Sequence, residues 1–437
     1  MFRLVRSLLL LLGVARAQIP IRCASAANMR AKVCCPAAWQ DGSPCGRSSG
    51  RGRCQDVAQE SGPQGGREHV WDFRLWWPSY FFVRMCVCSG NFAGADCGEC
   101  QPGWRGTACQ EKHVVVRRDL AAMSRRERRI FVDRLHQSKT TLSARYVIYA
   151  SESDRAGSEL VFRQASVYDV AAWIHYLCVK PLGDGNRPSF AHRSSAFLCW
   201  HKMYLLYLEA EIRNMTQDDS FFIPVWTWAG KHDCDVCTDD LFGRSGPKGF
   251  LSRRSRFSSW RTYCTGDGRH LLDFSVICPP HRGRPIRRFN RPDRRFGGLP
   301  TLADVDACLN LQQFDTPPYD QSSPSSFRCA LEGFTNPQNP TVVMASMHNM
   351  VHIFCGGTLN DVFQATNDPL FPCIHAYVDQ IFERWLRRHP NSAELYPTDP
   401  GVPYGHRGND RMVPFLPVVE NRHMMRSCIT FGYDYED

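Results

Sequence analysis

Two of the fifteen histidines in this 437-residue chain, His348 and His352, stand four apart in Met347-His348-Asn349-Met350-Val351-His352-Ile353-Phe354. On an α-helix such residues share one face, one turn apart, so both could present a ring nitrogen to one metal ion. Chance alone gives about 0.5 pairs at this spacing for this histidine content, so the pair needs support from elsewhere. Asn367-Asp368-Pro369 reads as a helix start, with Asp368 as N-cap and Pro369 in the first helical position, and the helix it opens carries His375. His348, His352 and His375 then form one candidate trio.

A second trio, His175, His192 and His201, lies in the first half of the chain. The two halves share a local pattern. Phe197-x-Cys199-x-His201-x7-Glu209-x3-Arg213 matches Phe371-x-Cys373-x-His375-x7-Glu383-x3-Arg387. The Glu and Arg residues read as surface ion pairs supporting each helix. Phe and His at one offset on both helices point to two helix pairs facing each other across a pseudo-two-fold, each giving three histidines to one metal. Imidazole suits copper, zinc, iron and nickel, and intrinsic divalent affinity peaks at copper. Neither trio includes a carboxylate, which a hydrolytic or magnesium site would normally use. Two adjacent ions can clamp both atoms of a bridging ligand, and dioxygen held between two coppers needs neutral nitrogen ligands on both sides.

These residues need helices to position them. Ser124 and Glu127 form a capping-box pattern ahead of Ile130, Phe131 and Leu135, the entry to a large helical domain. Ser166-Val167-Tyr168-Asp169 precedes Val170, Trp173, Ile174 and Leu177, an amphipathic helix carrying His175. His201 opens a long helical run through Glu209. Between the halves, Cys234-x2-Cys237 follows Trp226-Thr227-Trp228, with Cys264 or Cys278 as the expected disulfide partners. The Pro-rich span from Thr316 to Ser326 reads as a connector.

Composition fixes the compartment. Arg3 and Arg6, the apolar run Leu8–Leu12 and Ala15-Arg16-Ala17 read as a signal peptide over residues 1–17. Ten of the 21 cysteines fall between Cys23 and Cys109, and Cys86-x-Cys88-x8-Cys97-x2-Cys100-x8-Cys109, rich in glycine, fits a small disulfide-stapled EGF-like module. The other 11 lie between Cys178 and Cys428, an odd number that leaves at least one unpaired within the chain. The expected layout is residues 1–17 signal peptide, 18–112 Cys-rich EGF-like domain and 113–437 metal domain. No run long and apolar enough to span a membrane follows the leader. The net charge of +10 is concentrated at Arg282, Arg284, Arg287, Arg288, Arg291, Arg294 and Arg295 among Pro and Gly. That stretch reads as a solvated basic loop, not a nucleic-acid site. The only glycosylation sequon is Asn214-Met215-Thr216.

The chain resembles the animal tyrosinase family over essentially its whole length. The resemblance rests on the Cys-rich amino end, Phe190-Ala191-His192, Phe197 to His201, Cys234 to Asp239, Leu331-Glu332-Gly333-Phe334, Met347 to Phe354, Asn367 to Trp385 and Met412-Val413-Pro414-Phe415. It implies a mainly α fold, a four-helix-bundle dinuclear core of the type-3 copper kind behind the EGF-like module. His175, His192 and His201 would hold one copper, and His348, His352 and His375 the other. Family members oxidise phenols such as tyrosine and catechols such as dopa to o-quinones with dioxygen, on the way to melanin. The family pattern places a water-holding catalytic pair at Glu332 and Asn349 and substrate-pocket residues at Phe334, Val362 and Ala365. It also implies a melanosomal location, in the lumen or at the membrane, and association with related family proteins. The related branch of dopachrome isomerases uses zinc, and a non-catalytic oxygen-binding or partner protein is a further reading. Arg193 stands where an acidic residue is usual after His192, and Ile374 where many vertebrate tyrosinases have a second His. Cys178, Cys199, Cys355 and Cys373 lie near the candidate ligands, where a thiol could pair, ligate or oxidise.

Overall fold

The computed structural model describes residues 19–57, 72–182, 188–265, 274–295 and 297–436. The expected signal peptide lies outside them. The amino-terminal module is held by cross-links more than by apolar burial. Cys23–Cys34, Cys35–Cys54, Cys45–Cys86, Cys88–Cys97 and Cys100–Cys109 use all ten cysteines of the cluster. They follow β1 (Ile19–Pro20) and α1 (Ala26–Ala31), and staple a sheet in the order β2-β4-β3, formed by β2 (Val33–Cys34), β3 (Gly52–Asp56) and β4 (Arg84–Cys88). Two short ladders follow: β5 (Phe92–Ala93) with β6 (Glu99–Cys100), and β7 (Trp104–Arg105) with β8 (Glu111–Lys112). Two-residue strands are too short to persist alone, and disulfides that restrict the unfolded chain compensate.

The larger part is helical. After β9 (Val115–Arg117) come α2 (Arg125–Thr140), the hairpin β10 (Tyr146–Ser151) and β11 (Leu160–Arg163), α3 (Val167–Val179) and α4 (Phe197–Thr216). Then follow α5 (Leu302–Leu309), α6 (Phe327–Glu332), the hairpin β12 (Thr335–Asn336) and β13 (Asn339–Val343), α7 (Met347–Cys355), α8 (Phe371–Arg388) and β14 (Tyr433–Tyr435). Ser124 and Glu127 form the expected capping box at the start of α2, and the Ser166 hydroxyl caps α3. The histidine-bearing helices α3, α4, α7 and α8 pack in the series α3–α4–α8–α7. β1 leaves the Cys-rich module and pairs with β10, so the two parts share a sheet.

Five local expectations are corrected. Helix α3 is not amphipathic: every residue except Asp169 is buried, because α2, α4, β10 and the 3-10 turn Ala365–Asn367 surround it. Helix α8 begins at Phe371, not at Pro369, with Pro372 in its first turn. Asp368 is held by Arg288, Nε to Oδ2 at 2.8 Å, and accepts from the Leu370 N–H. Arg288 therefore departs from the basic loop, whose other six named arginines are exposed, and is wholly buried. Cys234 and Cys237 bond to each other, and Cys264 bonds to Cys278.

The fifth correction concerns the matched carboxylates. Glu209 and Glu383 are 1% and 2% exposed, so their pairs are not surface pairs. Glu383 accepts from Arg387, Ser427 and the Cys428 N–H. Glu209 is paired with Arg117 at the end of β9, which runs parallel to β14. The fully buried Arg117 guanidinium reaches Glu209 on α4 at 2.8 Å and Asp379 on α8 at 3.0 Å. Tyr433 and Tyr435 each donate to Asp379 at 2.6 Å, and the Tyr433 ring lies 3.7 Å under the guanidinium. One cation thus clamps the two helices that carry His201 and His375.

Removing one partner of a buried pair leaves an uncompensated charge, at a cost of about 3–5 kcal/mol. Arg117→Met should therefore lower the chemical denaturation midpoint sharply. Arg84→Met, at the exposed Arg84–Asp56 pair, should leave it nearly unmoved.

Candidate metal centre

Helix α3 supplies His175, the loop after it His192, and the first turn of α4 His201. Helix α7 supplies His348 and His352 on successive turns, and α8 supplies His375. In each trio the nitrogens offered to a metal all lie within 4.8 Å of one another. The two trios abut. Between them the rings of His201 and His375 stack at 4.3 Å and 14°, and within the second trio the His348 and His375 Nε2 atoms are 3.2 Å apart. The matched phenylalanines cross between the halves: Phe197 packs at 5.0 Å on His348, and Phe371 at 5.1 Å on His175.

Backbone carbonyls orient three of the rings. His201 Nδ1 lies 2.8 Å from the Phe197 oxygen, His348 Nδ1 3.0 Å from that of Glu332, and His352 Nδ1 2.7 Å from that of Leu359. Holding Nδ1 in this way turns Nε2 toward a metal. The free atoms match: His201 Nε2, both nitrogens of His175, His192 Nδ1 and His375 Nδ1 are buried without a hydrogen-bond partner among the described residues. Orphaned buried nitrogens are costly and rare in folded chains, and metal ligation would account for one on each ring.

Burial drives all six imidazoles toward the neutral form, reinforced in most of them by repulsion among the rings. His201 is pushed down to about 3 and His352 to about 4. A neutral imidazole keeps a lone pair for a metal, so the donors fit two soft-to-borderline ions with no carboxylate among them.

The trios open on a cavity of about 470 Å³. His175, His192, His348 and His352 form its floor, with Arg193, Phe334, Asn349, Val362, Phe363, Ala365 and Phe371 among its walls. Asn349, Phe334, Val362 and Ala365 all line this cavity. Glu332 does not line the cavity. It is fully buried, with Oε1 accepting from the Arg193 N–H at 2.7 Å and Oε2 paired with Arg328 at 3.1 Å. Burial pushes its carboxyl up to about 7, against the opposing charge of Arg328. Asn349 donates to the Gly333 oxygen at 3.1 Å, and Asn214 is exposed in the last turn of α4.

Seven described cysteines are free, and all are buried. None belongs to a histidine trio, and burial pushes the Cys199 thiol up to about 12. The three carbonyls that set ring orientation escaped the sequence reading, because a backbone acceptor leaves no mark in residue type. Ile374 faces no ligand role either; its carbonyl accepts from Trp228 Nε1.

The sign of the histidine shifts sets a pH window. Below the ordinary value of 6.5 the unfolded chain binds more protons than the folded one, so histidine-dependent stability is present above pH 6.5 and lost toward about pH 4. Metal released on dialysis, measured by atomic emission across that range, should follow the same fall.

The family model for the common central domain of tyrosinase matches residues 165–388, which include all six histidines. The chain is 38% identical over 436 residues to a tyrosinase of Oryzias latipes, covering 96% of this chain and 80% of that one. A tyrosinase of Felis catus is 39% identical over 433 residues, covering 96% and 81%. A 5,6-dihydroxyindole-2-carboxylic acid oxidase of Homo sapiens is 38% identical over 461 residues, covering 98% and 84%. Among solved structures, a mutant polyphenol oxidase from Thermothelomyces thermophila superposes with a TM-score of 0.52 at 17% identity, over 74% of this chain and 89% of that one, a likeness of fold.

Proposed function

The chain belongs to the tyrosinase family, and from that premise we propose that it is a copper oxidase. It converts phenols such as tyrosine and catechols such as dopa to o-quinones in melanin synthesis. One copper sits on His175, His192 and His201, the other on His348, His352 and His375. The observation that carries this reading is the donor set: two abutting trios of imidazoles, free of carboxylate and thiolate, four of whose rings line one cavity. Bound copper supplies the place where dioxygen is activated. The protein's own residues do the rest.

The walls Phe334, Val362, Phe363 and Phe371 exclude water and hold an aromatic ring against the histidine floor. Asn349 and Glu332 act on the phenolic proton through water. Asn349 lies on the wall, and Glu332, with a carboxyl near neutrality, sits one residue behind Gly333. Glu332 also fixes Arg193 through its carboxylate and His348 through its carbonyl. Residues 18–112 serve as the EGF-like contact module, and residues 113–437 as the catalytic domain. Asn214 carries a glycan, which its exposure allows. No helix among the described residues is long and apolar enough to cross a membrane. The substrates are small and are oxidised in the melanosome, reached by the secretory route.

Two outcomes are expected. The purified chain should hold two coppers and take up oxygen with dopa; stoichiometric zinc with dopachrome rearrangement and no oxygen uptake would favour an isomerase instead. Glu332→Gln should keep copper yet lose about 10²-fold or more in monophenol oxidation, the usual size of one acid–base contribution. Full monophenol activity in a copper-loaded variant would remove that role.

A further inference from the structure

Among the described residues that line the cavity, Arg193 is the only Lys, Arg, Asp or Glu. It follows His192 directly, so the cation stands one residue from a metal trio. Its backbone is fixed: φ is 68°, in the left-handed region, and its N–H is tied to the buried Glu332 carboxylate at 2.7 Å. Its guanidinium is exposed and makes no ion pair or hydrogen bond with any described residue. Glu332 does not neutralise it, because that carboxylate is engaged by Arg328, which also binds Asp315. No Asp or Glu is among the described residues that line the cavity.

Of the groups a small phenol or catechol can carry, a carboxylate pairs best with this cation, because a guanidinium meets it with two parallel N–H donors. We propose that Arg193 is the specificity-determining residue of this cavity and binds the side-chain carboxylate of a phenol or catechol whose ring lies over the histidines. The proposal rests on the copper-oxidase reading above for the ring's position. Substrates carrying a carboxylate are preferred over those bearing only an ammonium group, which Arg193 repels. The preference runs dihydrocaffeate, then dopa, then dopamine.

Two measurements test this on the full chain. In the first, kcat and KM are measured for the three catechols with wild type, Arg193→Gln, Arg193→Lys and Arg193→Glu. Arg193→Gln should lower the dopa-to-dopamine ratio of kcat/KM about tenfold, chiefly through KM, the size expected for one charge-assisted hydrogen bond. Arg193→Lys should restore part of the ratio, and Arg193→Glu should invert it. A ratio unmoved in Arg193→Gln and Arg193→Glu would overturn the proposal. In the second, phenylpropionate and phenethylamine are titrated into metal-free wild type and Arg193→Gln by calorimetry. Phenylpropionate should bind more tightly to wild type and lose that advantage in the variant; equal binding of both ligands to wild type would overturn the proposal. If wild type oxidises none of the catechols, the copper-oxidase reading fails, and the calorimetry still decides the role of Arg193.

Discussion

Everything at the metal centre depends on how α4 and α8 meet. Their first turns bring His201 and His375 into a ring stack at 4.3 Å. Farther along, Glu209 and Asp379 are drawn together by the single guanidinium of Arg117. The two contacts differ in kind. A stack of neutral rings is weak and tolerant of small shifts. A buried cation shared between two carboxylates is not, since any separation leaves charge unpaired in a low-dielectric interior. The strong contact holds the helices, and the weak one leaves nitrogen lone pairs available. The closing strand Tyr433–Tyr435 completes the arrangement by covering Arg117 and donating to Asp379.

The same interior explains why the histidines suit a metal. Burial holds all six rings neutral, so each offers a lone pair where an exposed histidine would compete with protons. Carbonyls of Phe197, Glu332 and Leu359 select which nitrogen is offered. Phe197 packs on His348 and Phe371 on His175, so each half packs against the other half's histidines. Disturbing one trio should therefore be felt in the other.

How much of this was legible in the sequence follows from the range of each interaction. The grouping of the six histidines into two trios could be read because helical spacing puts His348 and His352 on one face, and because the Phe-x-Cys-x-His pattern recurs. The capping box at Ser124 is a four-residue device and formed as expected. The failures are long-range. Asp368 looked like an N-cap, but Arg288, eighty positions upstream, claims it. Helix α3 read as amphipathic because its few polar residues suggested a wet face; elements distant in sequence cover that face. Glu209 and Glu383 resembled ordinary i,i+4 surface pairs until the strand bearing Arg117 and the chain near Cys428 closed over them. The Cys234–Cys237 bond was missed because longer-range pairing to Cys264 or Cys278 was preferred over a three-residue loop.

The central claim is that two ions share one floor made only of imidazole nitrogen. X-ray absorption at the metal edge of the loaded protein tests it most directly. The account predicts two ions per chain with nitrogen and oxygen scatterers alone in the inner shell and the multiple-scattering signature of imidazole. Sulfur in that shell, from Cys178, Cys199, Cys355 or Cys373, or a single ion per chain would contradict it.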